Sequence, residues 1–192
     1  IKLIIQITLN VMNIWQVKTI NNNYMINVNY RLFPCQIGKN GIISQHLKTE
    51  GDCSTPAGLW KIKKLYYREK KFELVVKNTS KKIKIKKISK NLGWCDDINN
   101  NFYNKEIEII KNNIFFNGHY EKLYRDDSAY DIFFELGYND NPIVNGKGSA
   151  IFLHCSFENL RSTAGCVAIS KKNFHYLLDN LEADTYLEIL SD

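Results

Sequence analysis

Along its N-terminal third the chain sets short β-favouring runs between polar breaks. Ile14-Trp15-Gln16-Val17 and Tyr24-Met25-Ile26-Asn27-Val28 flank Asn21-Asn22-Asn23, a pattern that predicts a hairpin. Tyr30 to Ile37 predicts a third strand, which Gly38-Lys39-Asn40-Gly41 breaks. Successive antiparallel strands at the start argue for a mainly β chain, a sandwich or barrel with one or two short helices, rather than a βαβ alternation. The segment Glu50 to Leu59, with Gly51, Pro56 and Gly58, reads as a loop that turns into a strand at Leu59-Trp60-Lys61-Ile62.

Between Lys77 and Lys90, Ile83, Ile85 and Ile88 interleave with Lys82, Lys84 and Lys86. That pattern puts isoleucines on one face of a strand and lysines on the other, where lysines guard an edge against pairing with another chain. Tyr130 to Leu136 predicts a buried strand ending in the turn Gly137 to Pro142. Asn145-Gly146-Lys147-Gly148 then leads into a second apolar run, Ser149 to His154. Near the end, Ser170 can cap a helix whose apolar face is Phe174, Leu177, Leu178 and Leu181, with His175 beside that face in a structural place. Thr185 to Leu190 closes the chain as a strand.

Candidate chemistry sits where two apolar runs meet. Ser149-Ala150-Ile151-Phe152-Leu153 ends on His154, and twelve residues later Gly165 places Cys166 at the head of Val167-Ala168-Ile169. A thiol is mostly protonated at neutral pH, so a nucleophilic cysteine needs a base such as imidazole beside it. A hairpin between the two runs would bring His154 to Cys166, and Gly165 would leave its own N–H and that of Cys166 free for a developing oxyanion. The alternative is a small buried cysteine and a hydrogen-bonded histidine that serve only the core.

Composition narrows the rest. The chain has 192 residues, 44% of them hydrophobic and 24% charged, and fits one globular domain over residues 12–192. Met12 reads as a plausible natural start, so residues 1–11 read as a non-native or upstream extension, and their interrupted apolar pattern makes a poor signal peptide. No apolar run reaches the length of a membrane span. The net charge of +6 comes without a nucleic-acid motif, so solvated lysines account for it. Five cysteines include no Cys-x-x-Cys pair, which argues against zinc, and their spacing suggests no disulfide framework. No cofactor, metal or nucleic-acid partner is expected, and the chain is expected to be a monomer.

Ser149-Ala150-Ile151-Phe152-Leu153-His154 followed by Thr163-Ala164-Gly165-Cys166-Val167-Ala168 resembles the signature of the YkuD-type L,D-transpeptidase catalytic domain. Glu50-Gly51-Asp52-Cys53-Ser54-Thr55-Pro56-Ala57-Gly58 is similar to the family's Asp-x-x-Thr-Pro-x-Gly segment, and Gly93-Trp94-Cys95-Asp96-Asp97 to a segment of one branch. The resemblance implies Cys166 as nucleophile, His154 as base, and a thioester acyl-enzyme on peptidoglycan stem peptides. It places the protein in the periplasm or cell envelope, with the cytoplasm as the alternative where no export signal is seen. It also puts Thr163 and Thr55 near the substrate.

The commoner form of the family carries His and Arg where this chain has Ala164 and Ala168. Arg125 is therefore expected, by elimination, to bind the substrate carboxylate, an ion pair with Asp126 or Asp127 being the alternative. Trp94 is expected to wall the cleft. Asp96 is expected to hydrogen-bond or to attract a substrate amine, a solvated turn being the plainer reading. A peptidoglycan hydrolase or L,D-carboxypeptidase of the same fold and a non-catalytic glycan-binding β domain complete the alternatives.

Overall fold

In the computed structural model, the described residues are 12–68, 79, 82–127, 129–156 and 161–191. Residues 1–11, expected to be an extension, and most of 77–81 lie outside them. The first strands are β1 (Asn13–Ile20), β2 (Asn23–Val28), β3 (Arg31–Gln36), β4 (Ile42–Ser44) and β5 (Thr55–Tyr67). Asn21 and Asn22, at φ 48° and 61°, make the two-residue turn between β1 and β2, and Asn29 and Tyr30, at φ 47° and 67°, make the next. Paired left-handed residues match the right-handed twist of the flanking strands, which is why asparagine recurs there. Beyond these lie β6 (Lys84–Lys87), β7 (Leu92–Cys95), β8 (Lys105–Glu108), β9 (Ile110–Lys111), β10 (Ile114–Phe115) and β11 (Tyr120–Lys122). The remainder is β12 (Ile132–Leu136), β13 (Phe152–Ser156), β14 (Val167–Ser170), α1 (Lys171–Asp179) and β15 (Thr185–Ile189).

The main sheet runs β12-β13-β14-β3-β2-β1-β15-β5, and β5 pairs again with β12, so the sheet closes on itself. The fold is mainly β and barrel-like. Strand β5 closes the ring because its 13 residues reach both neighbours, β15 through Gly58 to Lys61 and β12 through Ile62 to Tyr67. It begins at Thr55, so the expected loop ends four residues before Leu59, where parallel pairing with β4 already engages Thr55, Pro56 and Ala57.

Inside the ring, Trp15, Val17, Ile26, Val28, Phe33, Leu153, Val167 and Ile169 share one apolar core with Phe174, Leu177 and Leu178 of α1. Ser170 Oγ accepts from Asn173 N at 3.4 Å and caps α1. His175 is exposed on that helix.

β13 and β14 run parallel, with Leu153 opposite Val167 and His154 opposite Ala168. The expected hairpin is therefore absent, and the connection between them crosses over instead of turning back. Strand alternation still sorts the chemistry, because Leu153 and Cys155 point into the main core while Phe152 and His154 take the other face. Against that outer face lies a three-stranded sheet, β11-β7-β8. Trp94 meets Phe152 edge-on at 5.1 Å, and Tyr66, Leu92, Leu123, Tyr130, Phe133 and Cys166 complete this second core. Among the described residues β6 pairs only with β5, with Ile83 and Ile85 partly buried against the core, Lys82 3.1 Å from Glu182 and Lys86 paired with Glu106.

Candidate active site

The turn from Thr163 to Cys166 is tied down by its backbone. Thr163 N donates to Ile37 O at 2.9 Å and Lys39 N donates to Thr163 O at 2.9 Å, which anchors the turn to the segment after β3. Thr163 Oγ1 donates to Cys166 O at 2.6 Å and accepts from Gly165 N at 3.1 Å. The Gly165 N–H is therefore engaged within the turn, contrary to the expectation that it points at substrate. Gly165 has φ 147°, and a Cβ there would lie 3.1 Å from Ser54 O and 3.2 Å from Ile151 Cδ1, so glycine is required twice over.

Thr55 is fully buried and does not line the cleft. Its Oγ1 accepts from Gly38 N and donates to Gly165 O, both at 2.8 Å. The Gly165 carbonyl and the Cys166 N–H belong to one planar trans peptide and point in opposite directions. By gripping the carbonyl, Thr55 turns the Cys166 N–H the other way. Its role is to position this turn, not to touch a substrate.

A cleft of about 880 Å³ opens over the turn, lined by Cys166, His154, Gly165, Thr163, Ala164, Ser149, Tyr130, Glu121, Arg125, Asp96, His119 and Arg161, among others. Cys166 keeps 8% of its surface exposed on the floor. Its Sγ donates to Ala150 O at 3.1 Å and accepts from Phe152 N at 3.4 Å. Burial, with the nearby Glu121 charge adding to it, pushes the thiol up to about 12, so the resting sulfur is protonated.

His154 is 7% exposed. Its Nδ1 lies 2.9 Å from Cys155 O, and a carbonyl can only accept, so Nδ1 carries the proton and Nε2 holds the free lone pair. The Ala129 carbonyl also faces the ring. Burial lowers the imidazole below its ordinary value, and these two carbonyls partly oppose the shift. The Tyr130 ring stands perpendicular to the imidazole at 5.3 Å. Thiol and imidazole are both neutral at rest, one able to give a proton and the other able to take it.

The remaining candidates separate. Arg125 lines the cleft, but its Nε donates to both oxygens of Asp127 at 3.0 and 3.1 Å and its Nη1 to Glu121 Oε1 at 3.2 Å. That guanidinium is occupied, which corrects its assignment to a substrate carboxylate in favour of the ion pair with Asp127. Ala168 is 1% exposed within β14 and lies opposite His154. Trp94 is 5% exposed, donates from Nε1 to Asn104 Oδ1 at 3.0 Å and is absent from the lining, so it supports the wall from behind. Asp96 does line the cleft and accepts from His119 Nδ1 at 2.5 Å, an interaction that raises the His119 imidazole above its ordinary value. Tyr130, Glu121 and Arg161 were missed by sequence reasoning. Tyr130 opens an apolar run that reads as core, and neither Glu121 nor Arg161 belongs to a motif.

A thiol and an imidazole thus line one open cleft on the outer face of the closed β-sheet. The chain belongs to the YkuD family of L,D-transpeptidase catalytic domains, whose family model matches residues 21–189. No curated protein sequence matches it.

Among solved structures it is similar to Mycobacterium tuberculosis L,D-transpeptidase 1, at 9% identity and TM-score 0.40 over 93% of this chain and 61% of that one. It is also similar to Bdellovibrio bacteriovorus Bd1075, at 15% identity and TM-score 0.45 over 92% and 47%. An L,D-transpeptidase from Mycobacterium smegmatis gives 9% and 0.39 over 93% and 58%. The chain thus spans between 47% and 61% of the lengths of these proteins. Among the described residues no helix is long and apolar enough to cross a membrane.

Proposed function

We propose that this protein is an L,D-transpeptidase acting through a Cys166 thioester on peptidoglycan stem peptides at the cell envelope. The observation that carries the reading is the Cys166 sulfur on the cleft floor, beside a face that also presents a neutral His154 with its Nδ1 proton fixed on Cys155 O. His154 Nε2 takes the thiol proton as the sulfur attacks the carbonyl between an L-centre and a D-amino acid. The Cys166 N–H, turned by Thr55, donates to the oxyanion, a contact typically worth about 3 kcal/mol. His154 then protonates the leaving amine and a thioester remains. An incoming amine completes transfer, and water completes hydrolysis. Arg161, exposed at the cleft edge, takes the substrate-carboxylate role that Arg125 cannot.

The test is mass spectrometry of stem peptides incubated with wild type and Cys166→Ala. The expected result is a bond cut beside a D-residue, an adduct on Cys166, and loss of both in the variant. Product formation by Cys166→Ala at the wild-type rate would overturn the reading.

A further inference from the structure

The Tyr130 hydroxyl stands between two claimants for its single proton. It donates to Glu121 Oε1 at 2.9 Å, and Cys166 shares its buried cluster and its cleft, where a hydrogen bond from the phenol favours the ionised sulfur. Tyr130 is 6% exposed and its ring is fixed, by His154 at 5.3 Å, by Phe152 at 5.8 Å edge-on and by Phe133 at 5.2 Å. With the ring held, only the O–H bond can turn. Glu121 keeps a second donor, Arg125 Nη1 at 3.2 Å, so its carboxylate is not stranded if the phenol turns away. Ala150 O, which accepts the resting thiol proton at 3.1 Å, cannot donate to a thiolate.

We propose that Tyr130 is a further catalytic residue, the hydrogen-bond donor to the Cys166 thiolate, and that Glu121 is a positioning residue that competes for the same proton and holds the thiol at rest. The step balances without any added reactant. The Cys166 S–H bond breaks as its proton passes to His154 Nε2. The Tyr130 O–H stays intact and swings from Glu121 Oε1 to the sulfur. Glu121 keeps its hydrogen bond from Arg125 Nη1 at 3.2 Å.

The charged groups acting on this exchange are Arg125, Asp96 and Asp127 around Glu121, with Glu121 and Lys48 acting on the sulfur. The negative members oppose a thiolate and the cations favour it. A donor that can be recruited after deprotonation offsets this without making the resting thiol reactive. The inference rests on Cys166 as the nucleophile proposed above.

The experiment measures iodoacetamide alkylation of Cys166 against pH, by peptide mass mapping, in wild type, Tyr130→Phe, Glu121→Gln and the double variant. Tyr130→Phe should slow alkylation at neutral pH about tenfold or more and move the profile to higher pH, since hydrogen bonds to charged groups are the strong ones. Glu121→Gln keeps an acceptor for the phenol but weakens the competition, so it should quicken alkylation severalfold and move the profile to lower pH. In the double variant the gain from Gln should shrink to the charge effect alone. A Tyr130→Phe profile that overlays wild type overturns the proposal, as does Glu121→Gln slowing alkylation by the same factor as Tyr130→Phe. Stem-peptide cleavage is read separately, so a Tyr130-dependent thiol that cuts no peptide would retain this inference and remove the proposed function.

Discussion

Thr55→Val is the most telling single change, because it deletes one hydroxyl without altering side-chain size much. In the native protein that hydroxyl accepts from Gly38 N and donates to Gly165 O, both at 2.8 Å, with no part of Thr55 exposed. Valine leaves a buried N–H and a buried C=O without a partner, and each orphaned group costs about 1–3 kcal/mol. Water cannot enter easily, since Gly38 lies so close to the next segment that a Cβ on it would sit 2.4 Å from Cys53 O. A total loss of about 2–6 kcal/mol corresponds to a fall in Tm of about 4–24 °C for a chain of this size.

The same substitution frees the peptide plane that aims the Cys166 N–H. Removing an oxyanion donor outright costs about 10²–10³ in kcat, and a misaimed one should cost about tenfold to a hundredfold. Differential scanning calorimetry and stem-peptide kinetics give both numbers, and Thr55→Ser, which keeps the hydroxyl, should recover most of each. If Thr55→Val kept its Tm and kcat but raised KM, Thr55 would be a substrate contact and the peptide-plane argument would be wrong.

Three further predictions follow from the same geometry. Burial lowers the His154 imidazole, so below about pH 6.5 the unfolded chain binds more protons and stability falls with falling pH, whereas His119, raised by Asp96, contributes below about 6.5 and loses that contribution as pH rises through its higher value. Calorimetry between pH 7 and 5 should therefore show His154→Gln flattening the fall in Tm and His119→Ala steepening it, and three equal slopes would contradict the assignment. Arg161→Ala should raise KM for a stem peptide about tenfold with kcat little changed, whereas Arg125→Ala should lower Tm by releasing Asp127 and Glu121; the reverse pattern would return the carboxylate role to Arg125. Replacing Lys82, Lys84 and Lys86 together by Gln should leave turnover within about twofold while removing the contacts to Glu182 and Glu106, and a large loss of turnover would make that strand part of the substrate path.

Where local chemistry decides the structure, the sequence was readable. Asn21-Asn22 marks the first hairpin because its turn needs positive φ, and Ser170 with Phe174, Leu177 and Leu178 marks α1 because cap and period agree. The direction of β14 against β13 was not readable. Alternation along a strand is the same whichever way its neighbour runs, so an apolar run ending at His154 and another starting at Cys166 fit a hairpin and a crossover equally well. Burial of Thr55 and Trp94 was missed for a related reason. A motif says that a residue type is needed at a position, not whether its side chain faces the cleft or braces the backbone from behind.

The parallel arrangement has a consequence for how chemistry and selection are divided. Because β13 and β14 run the same way, the turn bearing Cys166 lies beside the start of β13, and the Phe152 N–H reaches the sulfur at 3.4 Å while His154 sits two residues further along the same face. The proposed nucleophile and base and the Thr55 brace thus all lie on or beside the closed sheet, where strand pairing ties the backbone. Asp96 and Glu121 belong instead to the three-stranded sheet or the residue just after its β7 strand, and His119 and Arg125 flank it. Substitutions in that layer can reshape the cleft without moving the reacting atoms. Tyr130 is the exception, since its ring packs on the closed sheet at Phe133 and Phe152 while its hydroxyl meets Glu121 of the outer layer. The Tyr130 hydroxyl therefore ties the outer wall to the closed sheet at the cleft floor, and a change in that wall that moves Glu121 also changes the hydrogen bonding of this phenol.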